Sequence, residues 1–189
     1  MTRLYLIRHA KPAVAWGGED EDPGLDSIGW DQARAVAEEL MALPVAHRPK
    51  RVVSSPLRRC RETAQPFAAA LGVTVEIVPE VGEIPTPADL DLAARPEWLR
   101  AAFSGRWADI RGDLDYDAWR QAVAAAVGAL PATAVFSHFV AINAVLSLIE
   151  GCDEVIGFRP DHTSITTLDL QGRTLALVSR GREAATRVL

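Results

Sequence analysis

The chain has 189 residues, 49% of them hydrophobic, which is enough for one domain over 1–189 with a sizeable core. A formal charge of −5 and a pI near 5.4 give no grounds for a general nucleic-acid binder. No stretch approaches the ~20 apolar residues of a membrane span, and the N-terminus shows no signal-peptide pattern.

Residues 4–7, LYLI, are a short β-prone apolar run and predict a buried strand that stops at Arg8-His9, with Pro12 closing it. A charged pair there belongs at the strand's carboxyl end, where open α/β sheets bind ligands. Arg8 offers a guanidinium fork for phosphate or carboxylate, and His9 a nucleophile or base. Residues 13–23, with the acidic run GEDED, read as a solvated loop whose spacing does not match a calcium loop. Asp26 or Ser27 caps a helix to about Leu43, with Ala33, Val36, Ala37 and Leu40 on one face and Pro44 and Pro49 beyond it.

RVVSS (51–55) predicts a second strand, and Ser55-Pro56 the start of a helix that runs to Leu71 and stops at Gly72. Residues 73–78 predict a third strand and 79–87 a loop, while 88–112 are irregular and helical in parts. A helix from Asp115 or Asp117 ends near Leu130-Pro131. TAVFS (133–137) predicts a fourth strand, and 139–149 a very apolar helix stopped by Gly151. Residues 164–170 and 174–179 predict an antiparallel hairpin about Gln171-Gly172. This alternation argues for an α/β sandwich.

Four motifs in order, LIRHA (6–10), SSPLRRCRETA (54–64), EVGEIP (80–85) and FSHFVAI (136–142), resemble those of the histidine phosphatase superfamily. GLDSIGWDQA (24–33) is similar to the family's first-helix entry and HTSIT (162–166) to its late strand, so the resemblance covers most of the chain. It implies a phosphoglycerate mutase-like fold: a three-layer α/β/α sandwich around a mostly parallel sheet, with a small helical cap or insertion around 84–120. It also implies a metal-independent, cofactor-free phosphomonoesterase acting on a small phosphorylated molecule through a phosphohistidine. His9 matches the family's nucleophile, Arg8 and Arg59 its phosphate-binding arginines, His138 its second, protonated histidine, and Glu83 the acid for the leaving group. His9 and His138 both follow strands, and Arg59 and His138 sit at helix starts, where a bound anion is favoured. The positive end of that helix opposes protonation of His138, so phosphate must supply the compensating charge.

Taken singly, the same residues have plainer readings. His138 between apolar runs suits a hydrogen-bonded core histidine, and Glu83 a surface carboxylate. Arg58 and Arg61 read as an exposed helix face, Cys60 as a small buried apolar residue, and His162 as structural hydrogen bonding first, with a contribution to the rim as its alternative. Trp98, Phe103, Trp107 and Trp119 read first as packing anchors, with Arg95, Arg100 and Arg106 as candidates for holding the substrate's remainder. Cys60 and Cys152 make neither a disulfide framework nor a zinc site, so a cytoplasmic protein without a metal is expected.

Two departures from the family pattern bear on the activity. Ala10 follows the histidine where many members have Gly, and Ala15 stands where mutases and many phosphatases carry a phosphate-contacting Asn. The chain is also short for a mutase cap, which favours a phosphatase. A phosphomutase, a protein phosphohistidine phosphatase and a non-catalytic module that binds a phosphorylated metabolite are the alternatives. Nucleic acid and membrane are not expected partners, and the sequence leaves the oligomeric state open.

Overall fold

A strand buried on both faces has to satisfy two cores at once, and β1 (Thr2–Arg8) does so by its pleat. The computed structural model describes residues 2–14, 20 and 22–184, so Ala15 lies outside the described residues. Leu4 and Leu6 point into one apolar cluster, with Val53, Val135, Val123 and Ile142. Tyr5 and Ile7 point into the other, with Val36, Leu40, Val52, Phe67 and Phe136. Burying one such side chain is worth about 1.5–3 kcal/mol, so a one-residue slip, which would exchange the two sets, is strongly disfavoured.

The first cluster lies under α4 (Tyr116–Gly128) and α5 (Phe139–Glu150), the second under α1 (Ser27–Met41) and α2 (Arg58–Leu71). The result is the three-layer sandwich that the motifs implied. Among the described residues the sheet has the order β3-β2-β4-β1-β5-β6, with β2 at Arg51–Ser54, β3 at Val75–Ile77, β4 at Thr133–Ser137, β5 at Ile165–Gln171 and β6 at Thr174–Ser179. β3, β2, β4 and β1 are parallel neighbours, whereas β5 runs against both β1 and β6. The antiparallel end of the sheet is the expected hairpin, turning at Gly172 with φ of +63°.

Local signals set most boundaries. Asp26 is the N-cap of α1, its carboxylate accepting from the Gly29 amide at 2.7 Å. Gly72 and Gly151 end α2 and α5 in the left-handed conformation. β3 is shorter than expected because the Val73 amide turns back to the Ala68 carbonyl at 3.1 Å and closes α2, which removes it from any ladder. α2 begins at Arg58, two residues after Pro56, because the Ser55 amide continues the pairing with β4 through the Phe136 carbonyl at 3.0 Å.

Residues between Ile84 and Asp115 form the expected helical insertion, with α3 (Arg95–Phe103) and short 3-10 turns at Leu92–Ala94 and Trp107–Asp109. It stops short of 120, because Asp115 caps α4 by accepting from the Ala118 amide at 2.9 Å. Trp107 is buried and faces Trp119 at 6.0 Å, and Arg120 lies over its ring at 5.5 Å. These aromatics anchor the insertion to the layer, in line with the packing reading.

Gly29 is where helix α1 meets the chain that leaves β1. A Cβ there would stand 2.1 Å from the Lys11 carbonyl oxygen, a backbone atom that cannot swing away. Gly29→Ala should therefore cost about 1–3 kcal/mol, as overpacking does, measured by urea denaturation. Gly157→Ala, whose added carbon meets nothing within 4 Å, should stay within about 0.5 kcal/mol of wild type.

Candidate active site

The register of three strands assembles the site. Ile7 of β1 pairs with Phe136 of β4, which pairs with Ser54 of β2, so the next residues but one or the next emerge side by side at the carboxyl rim. The ladder runs on past the strand ends: the His9 amide donates to the Ser137 carbonyl and the Ser55 amide to the Phe136 carbonyl, both at 3.0 Å. His9 and His138 face each other edge to face, with ring centroids 5.3 Å apart. Both are almost fully buried, as are Arg8 and Arg59.

Each side chain is held from more than one element. Arg8 donates to the Pro160 carbonyl at 2.9 Å and lies over the Phe139 ring, leaving its Nε without a partner. Arg59, in the first turn of α2, donates to His138 Nδ1 at 3.3 Å and stands 3.6 Å from Glu83 Oε2. A guanidinium can only donate, so His138 Nδ1 accepts and its proton resides on Nε2, which bonds the Ser55 hydroxyl at 2.7 Å. Glu83 Oε1 accepts from the Ile84 amide, while Oε2 lies 3.4 Å from His138 Nδ1 with no hydrogen bond of its own. Nδ1 of His9 bonds the Ala10 carbonyl at 2.8 Å. A carbonyl only accepts, so Nδ1 carries the proton and Nε2 keeps the lone pair.

Burial sets the charge states, and the two arginines reinforce it. Desolvation, then His138, Arg59 and Arg8, hold His9 well below the usual imidazole pKa. Desolvation, then Arg59, Arg8 and Arg95, do the same to His138. Without a bound anion His138 is therefore neutral, and the protonated form that the family resemblance assigns to it requires phosphate. Arg8 is held down to about 10 by burial and stays charged near neutrality.

The expected residues are thus gathered as a set: Arg8, His9, Arg59, Glu83 and His138. Glu80, the other carboxylate of its loop, is exposed, whereas the Glu83 side chain is buried against the histidine. Gly82 is needed for a reason other than close approach to the pocket: its Cβ would lie 2.8 Å from the Pro79 carbonyl inside the 3-10 turn. Arg58 and Arg61 face outward, paired with Glu62 and Asp22. Arg95 bonds the Thr86 hydroxyl at 2.6 Å and is close enough to depress His138. Arg100 is exposed on α3 and Arg106 sits beside Glu154, and no contact among the described residues joins either to the histidines.

Sequence reasoning missed the supports. Ser55 fixes the His138 tautomer. Thr63 accepts from the Ala10 amide at 2.9 Å and donates to the Arg59 carbonyl at 2.6 Å, locking α2 to the residue after His9. Cys60 is buried as expected, but its sulfur lies 3.4 Å from His138 Nε2, and burial pushes its thiol pKa up. Ser137 donates to the Val81 carbonyl at 2.7 Å and so ties the Glu83 loop to the rim. The spacing SSPxxRCxxT could have suggested these, since Ser55, Arg59 and Thr63 recur every four residues on one side.

Layering, strand order and a cluster of two histidines and two arginines at the carboxyl rim define an α/β sandwich of the phosphoglycerate mutase-like type. The chain belongs to the histidine phosphatase superfamily (branch 1), whose model matches residues 4–182. Among solved structures, a phosphoserine phosphatase from Entamoeba histolytica, crystallised with 3-phosphoglyceric acid, is 21% identical with a TM-score of 0.76 over 96% of this chain and 98% of that one. The alpha-ribazole phosphatase from Shigella flexneri is 18% identical, with a TM-score of 0.72 over 95% of this chain and 96% of that one. A mycobacterial glucosyl-3-phosphoglycerate phosphatase in complex with VO3 is 21% identical, with a TM-score of 0.69 over 96% and 99%. No sequence among the curated proteins matches the chain.

Three depressed histidines, His9, His138 and His162, make stability pH-dependent. Between the folded pKa values and the ordinary 6.5, the unfolded chain binds more protons, so acid favours unfolding. The melting temperature should be flat above pH ~7 and fall steadily below 6.5, toward the value of about 4 that His162 takes. His162→Asn should show a shallower fall, readable by calorimetry across that window.

Proposed function

We propose that the chain is a phosphomonoesterase that hydrolyses a small phosphorylated molecule without a metal, through a phosphohistidine at His9. The observation that carries this reading is the His9 Nδ1 bond to the Ala10 carbonyl, which leaves Nε2 unprotonated, at the rim, among two guanidinium groups. Nε2 attacks phosphorus, the phosphorus–oxygen bond to the leaving group breaks, and Glu83 gives that oxygen its proton. Water then attacks phosphorus and gives its proton back to Glu83 while the phosphorus–nitrogen bond breaks, its electron pair returning to His9 Nε2, and inorganic phosphate is released. Arg8 and Arg59 meet the equatorial oxygens, whose charge is the main thing a protein must stabilise in phosphoryl transfer. As that charge arrives, the Arg59 N–H leaves His138 Nδ1 for a phosphoryl oxygen, and Nδ1, freed, takes up a proton and becomes a further donor, since Ser55 already holds Nε2–H.

The family and the phosphatases of similar fold support hydrolysis over transfer to an organic acceptor. Arg95, at the start of α3, is the arginine of the insertion placed to meet the substrate's remainder.

His9→Ala should abolish turnover, and a quenched wild-type reaction should leave one acid-labile phosphate on His9; full activity in that variant would end this mechanism. Activity should be unaffected by chelators. Glu83→Gln should cost ~10²–10⁴-fold on an alkyl phosphate and far less on p-nitrophenyl phosphate, whose leaving group needs no proton. Equal losses on the two substrates would mean that Glu83 binds or braces and does not donate the proton. Arg59→Lys should lower kcat by ~10²–10³-fold, while Arg58→Ala should leave it near wild type.

A further inference from the structure

His162 is a third imidazole at the pocket, and the steps above give it no task. Its ring centroid lies 5.8 Å from that of His9, with the rings inclined at 48°. Its hydrogen bonds run through the backbone: the amide donates to Asp161 Oδ1 at 2.8 Å and the carbonyl accepts from the Thr163 hydroxyl at 2.7 Å. Neither ring nitrogen has a hydrogen-bond partner among the described residues, which does not fit the structural role read from the sequence. Burial, with Arg8 nearby, holds its pKa down to about 4. The ring therefore offers one N–H donor and one bare nitrogen near neutral pH.

The segment around it is clamped to the nucleophile strand. The Thr163 amide donates to the Arg8 carbonyl at 3.0 Å, and the Arg8 amide donates to the Ser164 carbonyl at 3.3 Å. These bonds fix the residues just after His162 to the residue just before His9. Thr163 itself has φ of +57°, which is a genuine outlier for a β-branched side chain and persists only where the surroundings enforce it. Arg182 steadies it by donating to its hydroxyl at 3.3 Å. A strained, doubly tied turn thus holds an unpartnered imidazole against the nucleophile, near the phosphorus that His9 would attack.

We propose that His162 contacts the phosphoryl group, donating one hydrogen bond to a non-bridging oxygen as the group passes onto and off His9. This rests on the phosphohistidine reading. Phosphoryl transfer spreads charge over three equatorial oxygens, and a fixed donor aimed at one of them strengthens in the transition state. No proton changes hands in this contact, so the balance of the reaction is unaltered.

The test compares His162→Ala with His162→Asn, which keeps a side-chain N–H, and runs His9→Ala beside them. Steady-state kinetics on p-nitrophenyl phosphate, vanadate affinity by calorimetry and the melting temperature at pH 7.5 are the readouts. His162→Ala should lose up to ~10²-fold in kcat/KM, chiefly in kcat, and bind vanadate correspondingly more weakly, with a melting temperature no lower than wild type. His162→Asn should recover most of both losses. An alanine variant within twofold of wild type in turnover and vanadate affinity overturns the proposal. So do equal losses in the two variants accompanied by a lowered melting temperature, which would make His162 structural. Turnover by His9→Ala would instead overturn the phosphohistidine reading, and vanadate affinity in the His162 variants would still report the contact separately.

Discussion

The dominant constraint on this protein is the burial of two guanidinium groups with too little negative charge to balance them. Arg8 and Arg59 are 4% and 7% exposed, Arg95 adds a third positive charge near His138, and the carboxylates that act on Arg8 are Glu83 and Asp161. A guanidinium does not release its proton at ordinary pH, so the cost of the excess charge falls on the groups that can change state. The histidines do so, and burial among these cations holds them neutral. A phosphate group reverses this balance: it pairs the arginines, and its charge draws a proton to His138. On the proposed reading, the unprotonated His9 and affinity for an anion are therefore two consequences of one electrostatic deficit. Binding an anion should also stabilise the fold by mass action, since only the folded chain holds these cations together.

Concentrating that charge requires a frame that does not yield, and the sheet provides it. β1, β4 and β2 lie in register, and their last apolar residues, Ile7, Phe136 and Val53, are fully buried. The residues that follow cannot turn inward, and the continued ladder at His9 and Ser55 keeps them from turning outward. α2 then returns Arg59 and Thr63 to the same rim, with Thr63 bonded to both the nucleophile segment and the helix. The chemistry sits at the ends of strands because that is where backbone pairing and the first turn of a helix can both hold a charged group.

Much of this was legible in the sequence. TAVFS-H-FVAI shows a strand, one polar residue and an apolar helix, and the structure places β4, His138 and α5 there. LYLI-RH is equally direct, because a buried run that ends in two charges must end at a surface or a pocket. Glu83 was harder to read, since its position depends on a 3-10 turn at Pro79–Val81 and on the Ser137 bond to Val81, neither of which has a periodicity. The start of α2 was misplaced because Ser55-Pro56 has the chemistry of a cap, yet the Ser55 hydroxyl is committed to His138, a partner 83 residues away. The surroundings of His162 are hidden in the sequence for the same reason: whether a histidine's ring nitrogens find partners is decided by tertiary neighbours, and among the described residues they find none.

What varies in such a design must lie outside the frame. The insertion between Ile84 and Asp115 touches the rim through Arg95, while its large aromatics are occupied elsewhere: Trp107 against Trp119, Trp98 bonded through its indole to the Arg111 carbonyl, Phe103 against Phe139. A substrate contact by those rings would have to be made alongside these packing contacts. On the reading proposed above, the substrate's remainder would instead meet Arg95 from α3. Lys11, which follows the nucleophile segment, is already paired with the cap residue Asp26 and so is less available. Because Arg95 hangs on an element that carries neither histidine, it can change without disturbing the register that holds His9 and His138. On the proposed reading, reaction chemistry and selectivity would then be separable, the first resting on the strand ends and the second on the insertion.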